Sequence, residues 1–229
     1  MTEEYKGYRI EIVPDDDPIN PRDWDQLGTM VCFHNRYNLG DKHDLKAGDF
    51  NGWDSLEDYI RKELKGYIIL PLYLFDHSGI TMNTTGFSCG WDSGQVGFIY
   101  ITAEKIRHEY SAKRISKKLK ERITGYLVNE VEEYDQFITG DVWGYQIYKG
   151  DSEEESDSCW GHFGEDYCLK TAKEAVDVLV EADKENEMVR NIPEKDLPLH
   201  INDEFKYTSS KEIFQKRLEE MNDAKEKEE

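Results

Sequence analysis

Apolar residues alternate with polar ones over Tyr8–Val13 (YRIEIV), placing Tyr8, Ile10 and Ile12 on one face, which predicts a strand. Gly28–His34 (GTMVCFH) reads as a second. Between them, Pro14–Pro21 holds three prolines and three aspartates, a composition that suits a loop and not a sheet interior. Leu56, Tyr59, Ile60 and Leu64 share a helical face within Asp54–Lys65, with Ser55 or Asp54 as cap. Two strand-like runs follow, Tyr67–Phe75 and Val96–Ile101. Thr102 has the side chain to cap a helix at Ala103, with Glu104 in its first turn. A longer helix is predicted from about Ser111 to Ile138, because Ile115, Leu119, Ile123, Tyr126 or Leu127, Val131, Tyr134 and Ile138 step by three or four. Gly125 is a place where it would divide, and Gly140 closes it. Gly144–Lys149 and Ser158–Gly164 predict a hairpin across the acidic turn Gly150–Asp157. Thr171–Glu185 is an amphipathic helix. Pro193 and Pro198 then mark a linker, and Ser210–Met221 reads as a charged helix before a frayed tail.

Strands and helices mix without regular β-α-β alternation. The expected fold class is α+β, a mostly antiparallel sheet with flanking helices. One main domain covers residues 1–190, and residues 191–229 form the linker and charged helical extension.

The 229 residues carry 49 acidic against 29 basic side chains, a formal charge of -20. Phosphate binding needs clustered Lys and Arg, so a broad basic face for nucleic acid does not fit this balance, and no direct DNA binding is expected. An acidic surface instead suits a partner with a basic one. Lys105–Arg122 is a local exception, with eight Lys or Arg. It reads as a solvated helix face, or else as a contact for the chain's own acidic segments or for phosphate. No apolar run approaches the roughly 20 residues of a membrane helix, and the N-terminus has no signal-peptide core. The expected location is the cytoplasm, with Cys32, Cys89, Cys159 and Cys168 as free thiols.

The candidate chemistry gathers in residues 76–95, the twenty positions between the two central strand runs. Cys89 with His77, Asp76 and Asp92 has the residue types of a thiol nucleophile, its base and an orienting carboxylate. Gly86–Gly90 matches G-x-S-x-G, but WDSGQVG follows without helical periodicity, and a nucleophile elbow needs a helix there. For a small ligand or nucleotide, the candidate contacts are His77, Ser78, Thr81, Thr84, Thr85, Ser88, Trp91, Asp92, Ser93 and Gln95. A tightly bonded loop that merely closes the sheet explains the same composition. For a metal, Cys32 and His34 with His77 and Cys89, or Cys159, His162 and Cys168, are the available sets. No C-x-x-C pair supports either, and no metal or cofactor is expected. Trp24, Trp53, Trp91, Trp143 and Trp160 sit near Gly or Asp at turns and strand ends, as anchors of a partner interface or as core.

The blocks NPRDWDQLGTMVCFHNRYNLGD (Asn20–Asp41), LPLYLFDHSGITMNTTGFSCGWDSGQVGFIY (Leu70–Tyr100), YDQFITGDVWGYQI (Tyr134–Ile147) and DSCWGHFGEDYC (Asp157–Cys168) resemble a family of uncharacterised bacteriophage and plasmid proteins. The resemblance covers roughly the first 170 residues and carries no established reaction. It implies an accessory protein of a mobile element, acting in the bacterial cytoplasm. With the charge of -20, the expected function is binding and inhibition of a host defence or nucleic-acid-handling protein that has a basic surface. The alternatives are a small-molecule or nucleotide binder, a Cys/His hydrolase built on residues 76–95, and a self-associating protein joined through the C-terminal helix. The balance leans away from an enzyme.

Overall fold

The computed structural model describes residues 1–190. The expected linker and the helix over Ser210–Met221 lie outside the described residues. What is described is α+β, with two four-stranded antiparallel sheets and four α-helices.

One compact unit takes in residues 1–13, 145–159 and 166–190. Its sheet runs in the order β1 (Thr2–Tyr5), β2 (Tyr8–Pro14), β7 (Val142–Lys149) and β8 (Glu155–Phe163). The alternation over Tyr8–Val13 is realised in β2, where Tyr8, Ile10 and Ile12 are buried. β1 is an unexpected strand. Its sequence TEEY has no apolar alternation, and it is held by pairing with β2 and by the Met1 ammonium donating to the Ile12 carbonyl at 2.6 Å. The predicted hairpin is β7–β8. Helix α4 (Glu165–Arg190) is longer than expected, and it buries Cys168, Ala172 and Val176. Lys149 and Tyr8 both donate to Asp183 at 2.6 Å. Burial, then that carboxylate, pushes the Tyr8 phenol up to about 12.

The second unit, residues 14–144 and 160–165, carries every candidate of the 76–95 stretch. Its sheet is ordered β3 (Thr29–Cys32), β6 (Ser93–Thr102), β4 (Gly66–Asp76), β5 (Ile80–Asn83). Both faces are covered. Met30, Leu72, Ile99 and Ile101 pack with Ile106 of α2 (Ala103–Glu109) and with Ile123, Leu127, Val131 and Tyr134 of α3 (Lys117–Thr139). Val31 and Phe98 point the other way, onto Leu56 and Ile60 of α1 (Trp53–Lys62). Full burial of each such side chain contributes roughly 1.5–3 kcal/mol. Gly97 is fixed by strand approach, because a Cβ there would lie 1.9 Å from the Val31 carbonyl oxygen. Pro71 is tolerated in β4 because β5 pairs only from Tyr73 onward, leaving one side of Pro71 without a strand.

The caps follow the sequence. Thr102 accepts from Lys105 N, and Gly140 ends α3 at φ +78°. Two expectations change. α3 starts after Ser116, whose hydroxyl accepts from Leu119 N, and it runs unbroken through Gly125. Residues 76–95 also contain a strand, β5, as the outer partner of β4.

A buried ion-pair network holds the approach to β3. The Arg22 side chain is only 3 % exposed. It donates to both Asp41 oxygens at 2.8 Å, to Glu130 at 3.2 Å and to the Gly28 carbonyl at 2.8 Å. Asp41 also accepts from Met30 N, and Glu130 from Leu27 N and Gly28 N. Burial works against the guanidinium, but Asp41 and Glu130 outweigh it and hold its pKa above the ordinary value.

Candidate functional site

Where β3 ends, Phe33 N donates to the Val96 carbonyl within β6 and leads the chain into His34. His34 Nδ1 accepts from Arg36 N at 3.2 Å and Tyr37 N at 3.3 Å, and its ring stacks on Tyr37. An acceptor at Nδ1 places the ring proton on Nε2. That atom lies 3.8 Å from Asp76 Oδ2, at the end of β4. The Arg36 guanidinium donates to the same carboxylate oxygen.

The β5–β6 connection closes over this corner. Asn83 Oδ1 accepts from Thr85 N and Gly86 N, forming the turn, and Gly86 at φ +84° packs over the Tyr73 ring. Phe87 lies against Phe75, and Asp76 N donates to the Asp92 carbonyl at 2.7 Å. Ser93 Oγ donates to the Cys89 carbonyl. Between these segments is an open cleft of about 400 Å³, lined by His34, Asn35, Arg36, Asp76, Trp91 to Gln95, and the apolar Phe33, Leu74 and Val96. Trp91 is 97 % exposed, the most exposed large apolar side chain among the described residues.

Of the ligand set, Trp91, Asp92, Ser93 and Gln95 line the cleft. His77 and Ser78 stand out on the exposed β4–β5 turn, with Ser78 at φ +58°. Thr81 points to α3 and donates to Asp135 at 3.1 Å, beside the Met82 N bond to the same carboxylate. Burial raises the Asp135 carboxyl above its ordinary range, against those two bonds. Thr84, Thr85 and Ser88 lie on the loop outside the cleft lining. His34, Asn35 and Arg36 complete the wall. Sequence reading left them out of the ligand set, because a long polar connection gives no sign that it returns to Asp76.

The nucleophilic set does come together, in an unproductive order. Asp92 Oδ2 lies 3.8 Å from Cys89 Sγ and 3.4 Å from His77 Nδ1. Thiol catalysis needs the imidazole against the sulfur and the carboxylate behind it. Here the carboxylate stands between them. Nor is the G-x-S-x-G match an elbow, since a strand, β6, follows it. Cys32 and Cys168 are buried, and Cys89 and Cys159 are exposed. Burial, chiefly, pushes the Cys32 thiol up to about 12. Among the described residues no group of three or more His, Cys, Asp or Glu is placed to hold a metal ion. No helix among them is long and apolar enough to cross a membrane.

The five tryptophans divide. Trp53 is half-buried, edge-on to Phe98 of the core, and Trp143 is half-buried with Nε1 donating to Asp141 at 2.6 Å. Trp24 is half-exposed against Phe163, and Trp160 is half-exposed over Gly144. Only Trp91 stands wholly in solvent. In comparisons with known proteins, no family model, no curated protein and no solved structure matches the chain.

Proposed function

We propose that this chain is a non-catalytic binding protein that takes a protein partner onto the Trp91 loop. The observation that carries the reading is the 97 % exposure of Trp91 beside Asp92 and the Asp76 corner. An indole in water is costly to keep and is a recurrent anchor of interfaces. With the Asp92 carboxylate next to it, it suits a Lys or Arg side chain, which an aromatic face and an acid attract together. The charge of -20 supports a basic partner, steered in by long-range attraction. The resemblance to bacteriophage and plasmid proteins supports a host target in the bacterial cytoplasm, a defence or nucleic-acid-handling protein that the chain inhibits. The carboxylate-centred arrangement of Cys89, Asp92 and His77 favours binding over hydrolysis.

The test is a pull-down from host lysate with wild-type chain and Trp91→Ala in parallel, with a native mass of each. A stoichiometric basic protein that is retained by wild type, lost by Trp91→Ala and released by salt is the expected result. A partner retained equally by both removes Trp91 as the anchor. A bound small molecule in place of a protein moves the reading to the cleft between His34 and Gln95.

A further inference from the structure

The charge of this chain is unevenly spread. Lys105–Arg122 holds eight Lys or Arg against Glu109 and Glu121, within a protein of formal charge -20. The fold puts this run on α2, its exit loop and the start of α3, where the cations at Arg107, Lys113, Arg114, Lys117, Lys118, Lys120 and Arg122 are all exposed. Lys105 differs, since it donates to the Gln26 carbonyl. Of the two acids, Glu109 lies 3.1 Å from His108 and Glu121 3.9 Å from Lys117. The first turn of α3 has no acidic residue, although acids are the usual complement to a helix N-terminus.

Aromatic rings are interleaved with these cations. Lys118, Arg122 and Tyr126 follow at four-residue spacing along α3 and so share one face. Tyr126 is 42 % exposed and stacks on Tyr110 at 6.5 Å and 19°. The Arg122 guanidinium lies 4.8 Å above the Tyr110 ring. Cations that track a backbone beside an open aromatic face are the elements of single-strand recognition, in which bases stack and phosphates are neutralised.

We infer that the Lys118–Arg122–Tyr126 face binds single-stranded nucleic acid, a base stacking on Tyr126 and phosphates lying along the cations. Net charge does not prevent this, because at physiological ionic strength screening limits interactions to about 8 Å and the strand meets the local charge. Single strands are favoured over duplex because stacking on Tyr126, 42 % exposed, needs an unpaired base.

The experiment is fluorescence anisotropy of a labelled oligothymidylate of about 20 nucleotides with the full chain, at about 100 and 300 mM salt, where screening stays within about 10 Å. Wild type binds at the lower salt and weakens at least tenfold at the higher salt. K118E/R122E weakens binding by more than tenfold and flattens the salt dependence. Tyr126→Ala weakens it about tenfold and keeps the salt slope, which separates stacking from charge. Both variants change exposed side chains, and unchanged melting confirms their fold. Trp91→Ala binds as wild type, so the result stands apart from that of the partner-binding loop. No anisotropy change at the lower salt overturns the inference. So does a matched duplex bound as tightly as the single strand by a chain indifferent to Tyr126→Ala.

Discussion

Two polar corners of the second unit use similar side chains to opposite ends. Around Arg22, each group is committed inward. The guanidinium meets Asp41, Glu130 and a carbonyl, and the two carboxylates accept from the backbone at Leu27, Gly28 and Met30. Around Asp92, the contacts are longer and wetter. His77 stands at 3.4 Å and Cys89 at 3.8 Å, and the neighbouring Trp91 touches almost nothing. The first corner ties two loops to α3. The second leaves its side chains available. Satisfied, buried polar groups hold a fold, whereas exposed and loosely paired ones are free to meet something else.

The sharpest way to break this contrast is Arg22→Ala, which leaves two carboxylates without their cation. It should cost about 3–5 kcal/mol, seen as a melting temperature lower by roughly 10 °C. A variant melting with wild type would show that the buried network holds nothing. Next comes Trp91→Ala. Its melting curve should overlay that of wild type, while partner affinity falls by about 2 kcal/mol or more in calorimetric titration.

Smaller again is Glu133→Gln, on the Arg22 side of α3. Burial, then the charge of Glu130, raises the Glu133 carboxyl above its ordinary value of 4.5, and Oε1 is buried without a hydrogen-bond partner. A carboxyl that protonates more readily when folded adds stability as pH falls and withdraws it as pH rises from that ordinary value through the raised one. Glu133→Gln should therefore gain below about 1 kcal/mol at neutral pH, since solvent still screens the group, and should flatten the decline above the ordinary value. Urea titrations at several pH values read both. Smallest are Cys89→Ala and His77→Ala, each expected within about 0.5 kcal/mol of wild type in the same titration. A large loss in either would mean that the Asp92 corner is structural after all.

Local signals were legible in the sequence and distant ones were not. Thr102 capping α2, Gly140 closing α3 and the alternation in β2 are set by a few neighbouring residues, and all were predicted. Gly125 misled because its propensity cost is about 1 kcal/mol, which Ile123 and Leu127 in the core outweigh. β1 and β5 carry little pattern of their own and exist through pairing. The Arg22–Glu130 pair joins residues 108 positions apart, so nothing local announces it. At the site, the residue types around Cys89 were legible, but their order around Asp92 was not. Distances within a loop follow from turns such as the one Asn83 makes, which composition does not specify.

The solitude of Trp91 also has an optical side. Trp53 and Trp143 are half-buried in fixed contacts, and Trp24 and Trp160 are half-exposed against Phe163 and over Gly144, so none has as much surface to lose as Trp91. An indole standing wholly in water emits at the red end of its range and is open to a neutral quencher such as acrylamide. Covering the loop would move that emission blue and shut the quencher out. The chain therefore carries, at the point where a partner is proposed to land, its own unlabelled reporter of occupancy.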